Sequence, residues 1–351
     1  MSYTAEEIIR LREKKEMRNR DFATSIGISE AELIAAYCTT EKAKKLNADV
    51  TTLLKNAPKI GTVMVLTRNE YAVHEKIGCF EKIVQNQHVP ITLGEIDLRI
   101  FPKQWKFGFE YEMVVFGKPT KSLQFFDQYG VAIFKIYSKD TTNMEEWNIL
   151  VKKLLSKDQL PNLEIQPSPT LTQHDTANIN VEKFRDRWRQ MTDVHQLHEI
   201  ISEFKINRHD AVKYAGNEFA DELSVESLEI MLNKIAQQEI PIMCFVGNKG
   251  CIQIFSGQIK NIKQIGPWLN ILDKKFNLHM LVSGIDKIWR VRKPTRDGYV
   301  SSLEVFNKNG EMIVQFFGLR KEGQKEREDW RSLLNDLPSI LENNNYFKKV
   351  R

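Results

Sequence analysis

The stretch RQMTDVHQLHEI, residues 189–200, offers the most chemistry in this chain. It carries His195 and His198, two of the seven histidines. Imidazoles can bind a metal, move a proton or sit in a core. Two helical registers compete for them. In one, a helix runs unbroken from Val181, and Phe184, Trp188, Met191 and His195 share its buried face. In the other, the helix breaks at Thr192 and a new one starts. Asp193, followed three residues later by Gln196, is a capping-box signature. The new helix would bury Val194, Leu197, Ile201 and Phe204, with His198 at the flank of that stripe. This second register is favoured because the cap explains Asp193. It leaves the His195 ring in the first turn, free for a ligand.

Several other chemistries lack their motifs. His195, His198 and Glu199 do not form HExxH, and no GxSxG accompanies a triad. The four cysteines, Cys38, Cys79, Cys244 and Cys251, form no CxxC pair and fit no zinc spacing. They read as reduced thiols. Neither GxGxxG nor GxxxxGK[ST] occurs between a strand and a helix. His74, in TRNEYAVHEKIG, is the notable histidine of the first half.

The elements that must position these residues come in two copies. SLQFFDQYGVAIFKIY (122–137) and SLEVFNKNGEMIVQFF (302–317) match at an offset of 180 residues. Each reads as strand, turn closing on Gly, strand. Asn309-Gly310 is a strong hairpin signal, since both residues tolerate φ > 0. Lys118-Pro119-Thr120 and Lys293-Pro294-Thr295 precede the two hairpins, and Trp147 and Trp330 mark the helices that follow. MVLTRNEYAV (64–73) matches CFVGNKGCIQ (244–253), and helical stretches open both halves, at Ala5 to Cys38 and Val181 to Tyr214. Helices, antiparallel strands and a closing helix in each half predict an α+β fold with internal duplication. The expected division is an N-terminal repeat at 1–157, a linker at 158–180 rich in Pro, Gln, Thr and Asn, and a C-terminal repeat at 181–351. Where His195 stands, the first half reads KKEMRNRD, so function is expected to be asymmetric.

Composition sets outer limits. With 42% hydrophobic and 28% charged residues, the chain can build a core and is not disordered. A net charge of +5 over 351 residues suits an acidic small ligand and does not demand nucleic acid. The N-terminus has no apolar secretion signal, and no window is long and apolar enough for a membrane span.

Taken together in this order, TRNEYAVHEKIG, DLRIF, TDVHQ, RKPTRDG and FFGLRKEGQKE resemble the bacterial hemin-degrading factor family. The resemblance covers almost the whole chain. It implies a cytoplasmic haem-utilisation protein of Gram-negative bacteria, with two repeats of sheet and helices and haem held in the C-terminal half. It makes His195 the proximal iron ligand. Arg99 of DLRIF would face the distal side with Phe101 nearby. Lys293, Gln315, Phe317 and Arg320 would meet the haem edge and propionates, as would Arg208. Phe317 stands where some relatives carry a tyrosine, so one hydroxyl donor is missing. His74 corresponds to a residue linked to a second haem in some relatives.

Haem is a flat apolar disc with an axial metal and two carboxylates. It needs an imidazole, aromatic walls and basic groups at its rim. These residues are of the required types. The unligated imidazole nitrogen also needs an acceptor, which the sequence does not name. Two functions share this residue set. One is reductive or oxygenase-like ring opening that frees iron, with His195 and Arg99 acting on haem. The other is a carrier that takes haem from an inner-membrane importer and passes it to a downstream acceptor. An electron donor is implied for the first.

Overall fold

The computed structural model describes residues 3–85, 89–115, 117–168, 179–321 and 323–340. The middle of the expected linker, 169–178, lies outside them, as do Glu322 of the FFGLRKEGQKE motif and the last residues, 341–351. The chain divides into two compact units. The first comprises residues 1–68, 74–170 and 247–253; the second comprises 69–73, 171–246 and 254–351.

The first half of the chain opens with α1 (Ala5–Glu13), α2 (Asn19–Ser25) and α3 (Glu30–Ala36). Reciprocal capping boxes start α1 (Thr4 with Glu7) and α3 (Ser29 with Glu32). Then come β1 (Ala43–Leu46), α4 (Val50–Asn56), β2 (Gly61–Arg68), β3 (Ala72–Gly78), β4 (Lys82–Val84), β5 (Ile91–Leu93) and β6 (Asp97–Ile100). The long strands β7 (Phe107–Val115), β8 (Lys118–Phe126) and β9 (Ala132–Thr142) precede α5 (Met144–Leu154). Neighbouring strands run in the order β1-β7-β8-β9-β2-β3.

The second half repeats this plan. Its helices α6 (Val181–Arg189), α7 (Gln196–Phe204) and α8 (Arg208–Ala215) lead to β10 (Ala220–Leu223) and α9 (Ser227–Gln238). They are followed by β11 (Ile242–Gly247), β12 (Cys251–Gly257), β13 (Ile262–Ile265), β14 (Trp268–Leu272) and β15 (Phe276–Leu281). Last come β16 (Lys287–Thr295), β17 (Gly298–Phe306), β18 (Met312–Gly318) and α10 (Glu328–Asn335). The order β10-β16-β17-β18-β11-β12 mirrors that of the first half. The α+β class, the large antiparallel sheets and the duplication all agree with the sequence reading.

The matched hairpins are alike down to their turns. Asp127 Oδ1 accepts from the N–H groups of Tyr129 and Val131, and Asn307 Oδ1 accepts from those of Asn309 and Glu311, each at 2.9 Å. A bulge follows in both, at Phe125/Phe126 and at Val305/Phe306. Only Gly310 takes a positive φ (73°), as Gly130 does (71°). Asn309 does not, because Asn307 closes the loop as an Asx turn and one left-handed residue suffices.

The matched Lys-Pro-Thr triplets do not occupy equivalent places. Lys118-Pro119-Thr120 opens β8, whereas Lys293-Pro294-Thr295 closes β16. Pairing register shows the equivalence: Lys293 faces Val300 as Met113 faces Thr120. Lys293 therefore corresponds to Met113.

β17 is buried on both faces from Val300 to Phe306. Ile288, Leu303, Val305 and Phe316 point toward the core shared with α9 and α10, where Trp330 is buried. Their neighbours Trp289, Val291 and Phe306 point the other way, packing with Phe184, Trp188, Leu197 and Ile200 of α6 and α7. That second face carries the polar groups described next.

Candidate functional site

α6 ends at Arg189, and the chain crosses Thr192 and Asp193 before α7 begins at Gln196, so the break is real. The capping box is only half formed. Gln196 Oε1 accepts from the N–H groups of Thr192 (2.8 Å) and Asp193 (3.2 Å). Asp193, however, does not cap the N–H of Gln196. Its Oδ1 accepts from the backbone N–H of His195 and from the ring Nδ1, both at 2.7 Å. This shifts the helix start to His195, which is the N-cap residue. Leu197 and Ile200 are the buried positions, while Val194, Ile201 and Phe204 are half-buried and His198 is exposed. His198 thus projects away from the apolar face rather than flanking it.

The His195 side chain is 91% exposed, yet its ring is held. A carboxylate only accepts, so Nδ1 carries the proton of the neutral ring and Nε2 keeps a free lone pair. Hydrogen bonds from the His195 backbone and ring, with the nearby Arg320 guanidinium, hold the Asp193 carboxyl below its usual range despite some desolvation. Asp193 supplies the acceptor that the sequence did not name.

A buried charge cluster lies on the same sheet face. Lys293 follows Val291 by two residues, and Ser302 and Glu304 precede Phe306 on β17. Glu304 accepts from Arg208 Nε (3.0 Å) and Nη2 (2.7 Å), Lys293 Nζ (2.7 Å) and Ser302 Oγ (2.8 Å). Lys293 Nζ also donates to Ser302 Oγ at 2.8 Å and lies 4.9 Å from the centre of the Phe317 ring. Burial pushes Lys293 down to about 8 against the opposing pull of Glu304. Burial would raise the Glu304 carboxyl, but Arg208 and Lys293 together hold it far below its usual range. Two cations share one carboxylate, leaving one excess positive charge. Lys293 is fully buried, whereas Arg208 is partly exposed and uses two of its five donors here, so an added carboxylate would find donors on Arg208. Gln315 and Phe317 are half-buried on β18, opposite Glu304 and Ser302, and Phe317 packs on Phe245 at 5.2 Å.

The structure thus brings His195, Arg208, Lys293, Gln315, Phe317 and Arg320 into one unit. Arg99, Phe101 and His74 belong to the other. Arg99 is paired with Asp97 and donates to Leu98 O at 3.1 Å. Half-buried Phe101 donates its N–H to Gly250 O at 3.0 Å. His74 is fully buried in β3, and desolvation pushes its imidazole down to about 3, which keeps it neutral. It is not presented at a surface as an exposed ligand would be.

Glu304 was missed by the sequence reading, though a signal existed. It is the one acidic residue inside SLEVF, at the place where the other copy has Gln124 in SLQFF. Pairing confirms the match: Glu304 faces Gln315 as Gln124 faces Lys135. In the first unit the charges are reversed. Glu30 opens α3 where Arg208 opens α8, and it accepts from Lys135 Nζ at 2.6 Å, both side chains being buried. Arg18 is the N-cap of α2, as His195 is of α7. The first unit therefore has neither the imidazole nor the lysine at these places.

Comparison with known proteins identifies the family. A model of the haemin-degrading HemS.ChuX domain matches residues 27–154 and again 205–337. The hemin transport protein HemS of Yersinia enterocolitica is 37% identical over 316 residues, covering 89% of this chain and 90% of that protein. The structure of holo-PhuS, a heme-binding protein from Pseudomonas aeruginosa, superposes with a TM-score of 0.92 at 34% identity, covering 96% of this chain and all of that one. ChuS, described as an E. coli heme oxygenase, does so with a TM-score of 0.84 at 34% identity, covering 94% and 98%. Two matches to the domain, one in each half, and near full-length relatives agree on one assignment: this chain belongs to the haemin-degrading HemS.ChuX domain family.

Proposed function

We propose that this chain binds ferric haem through its second unit as a step in haem utilisation, with His195 Nε2 as the iron ligand. The observation that carries this is the exposed His195 ring, fixed through Nδ1 by Asp193 so that Nε2 is free. The other groups suit haem by type. Phe317 and Phe245 offer aromatic surface, and Lys293, Arg208 and Arg320 offer cations for two propionates, with Gln315 beside them. Haem supplies a redox-active iron, while the protein orients it and neutralises its carboxylates.

Ring opening with release of iron is the proposed fate of the haem, on the strength of similarity to ChuS. It requires dioxygen and an electron donor. Carriage from an importer to an acceptor is the second reading, favoured by the carboxylate behind His195, which stabilises ferric iron, and by similarity to HemS and PhuS. Arg99 and Phe101 belong to the first unit, and a role for them toward haem rests on the family resemblance alone. His74, buried and held neutral by desolvation, has no part in this proposal.

The test is a hemin titration of the purified protein followed through the Soret band. Reductant is then added in air with catalase present. Loss of the band with release of carbon monoxide or a new tetrapyrrole marks ring opening; a stable reduced complex marks carriage. Failure of the wild-type protein to shift the Soret band would remove the proposal altogether. Arg99→Ala is expected to change the spectrum or turnover more than the affinity, and unchanged behaviour would end the distal assignment.

A further inference from the structure

We infer that Asp193 is a positioning residue that sets the tautomer of His195 and strengthens its donation to ferric iron; this rests on the reading of His195 as the iron ligand. The same carboxylate oxygen takes the His195 backbone N–H and the ring Nδ1–H, each at 2.7 Å. Asp193 is itself held. Gln196 Oε1 binds the two N–H groups at residues 192 and 193, and Thr192 O accepts from Arg296 N at 3.0 Å, which ties the loop to the β16–β17 turn. A 91% exposed ring would otherwise sample several rotamers and both tautomers. An anionic partner at Nδ1 makes Nε2 a stronger base. A stronger base favours Fe(III) over Fe(II), so the bound haem is harder to reduce by one electron.

Two variants separate this role from a structural one. Asp193→Asn keeps an oxygen for the His195 N–H, and so keeps the turn, but removes the charge. Asp193→Ala removes the acceptor. In the ligand-free protein with the ring neutral, nitrogen-15 NMR should show His195 mainly as the Nδ1–H tautomer, and Asp193→Ala should populate Nε2–H. With hemin bound, Asp193→Asn should raise the Fe(III)/Fe(II) potential measured by spectroelectrochemistry, and Asp193→Ala should weaken binding by roughly ten-fold or more. An unchanged tautomer ratio in Asp193→Ala, or an unchanged potential in Asp193→Asn, would overturn the inference. His195→Ala tests the underlying reading separately. If that variant bound hemin with an unaltered Soret band, the iron-ligand assignment would fall, whereas the ligand-free NMR result would still decide whether Asp193 sets the tautomer.

Discussion

Glu304 shows how one buried carboxylate can hold two cations. Fully buried, it is stable as an anion only because Arg208 and Lys293 both donate to it. Replacing it with Gln would leave two cations facing a neutral amide. Breaking a buried pair in this way costs about 3 kcal/mol or more, equivalent to a fall of roughly 6–12 °C in midpoint for a unit of this size. Thermal denaturation of Glu304→Gln measures this, and a midpoint within about a degree of wild type would contradict it. Lys293 gives a pH dependence. It is charged below about 8 and neutral above, so affinity for the hemin carboxylates should fall as pH rises through that value. Hemin titrations at pH 7, 8 and 9 would show the slope, and Lys293→Met should flatten it. If both proteins gave the same slope, the effect would belong to some other group. His195→Ala should abolish the Soret shift of the bound form.

Between the elements of the two halves, the contrast is one of charge placement. α8 and α3 start alike, after Asn207 and Ser29, yet one presents Arg208 and the other Glu30. A carboxylate at the first turn of α3 suits the helix dipole and is matched by Lys135 on β9. In the second half, Arg208 opposes its own helix dipole and needs Glu304 to hold it. What the first unit lacks is the imidazole: Arg18 is the N-cap of α2, where His195 is that of α7. Hemin should therefore bind tightly as one equivalent per chain. A second equivalent of similar affinity in the titration would show that the first half also holds the ligand.

At the scale of the whole molecule, binding and stability are linked. A ligand that binds only the folded state at 100 times its Kd adds about 2.7 kcal/mol. Saturating hemin should raise the thermal midpoint of wild type, and this rise should vanish in His195→Ala. Equal rises in both proteins would mean that hemin associates away from His195. Among the described residues no helix is long and apolar enough to cross a membrane.

Much of the fold was legible in the sequence because it is written in local patterns. Repeated strand-turn-strand segments, and helical stretches that open at Ala5 and Val181, follow from spacing and residue type alone. The break before His195 was legible too, since Asp193 and Gln196 lie within one turn of it. The partners of those residues were not. Asp193 could cap a helix or hold an imidazole, and only the backbone path of the loop decides between them. The joining of Arg208, Lys293 and Glu304 was less legible still. The first is on a helix and the other two are on neighbouring strands, up to 96 residues away in the chain. A buried charge survives only beside its counter-charge, and the sheet register determines which side chains meet. The sequence therefore determined the elements and the histidine, while tertiary packing decided what holds that histidine and which charges neutralise one another.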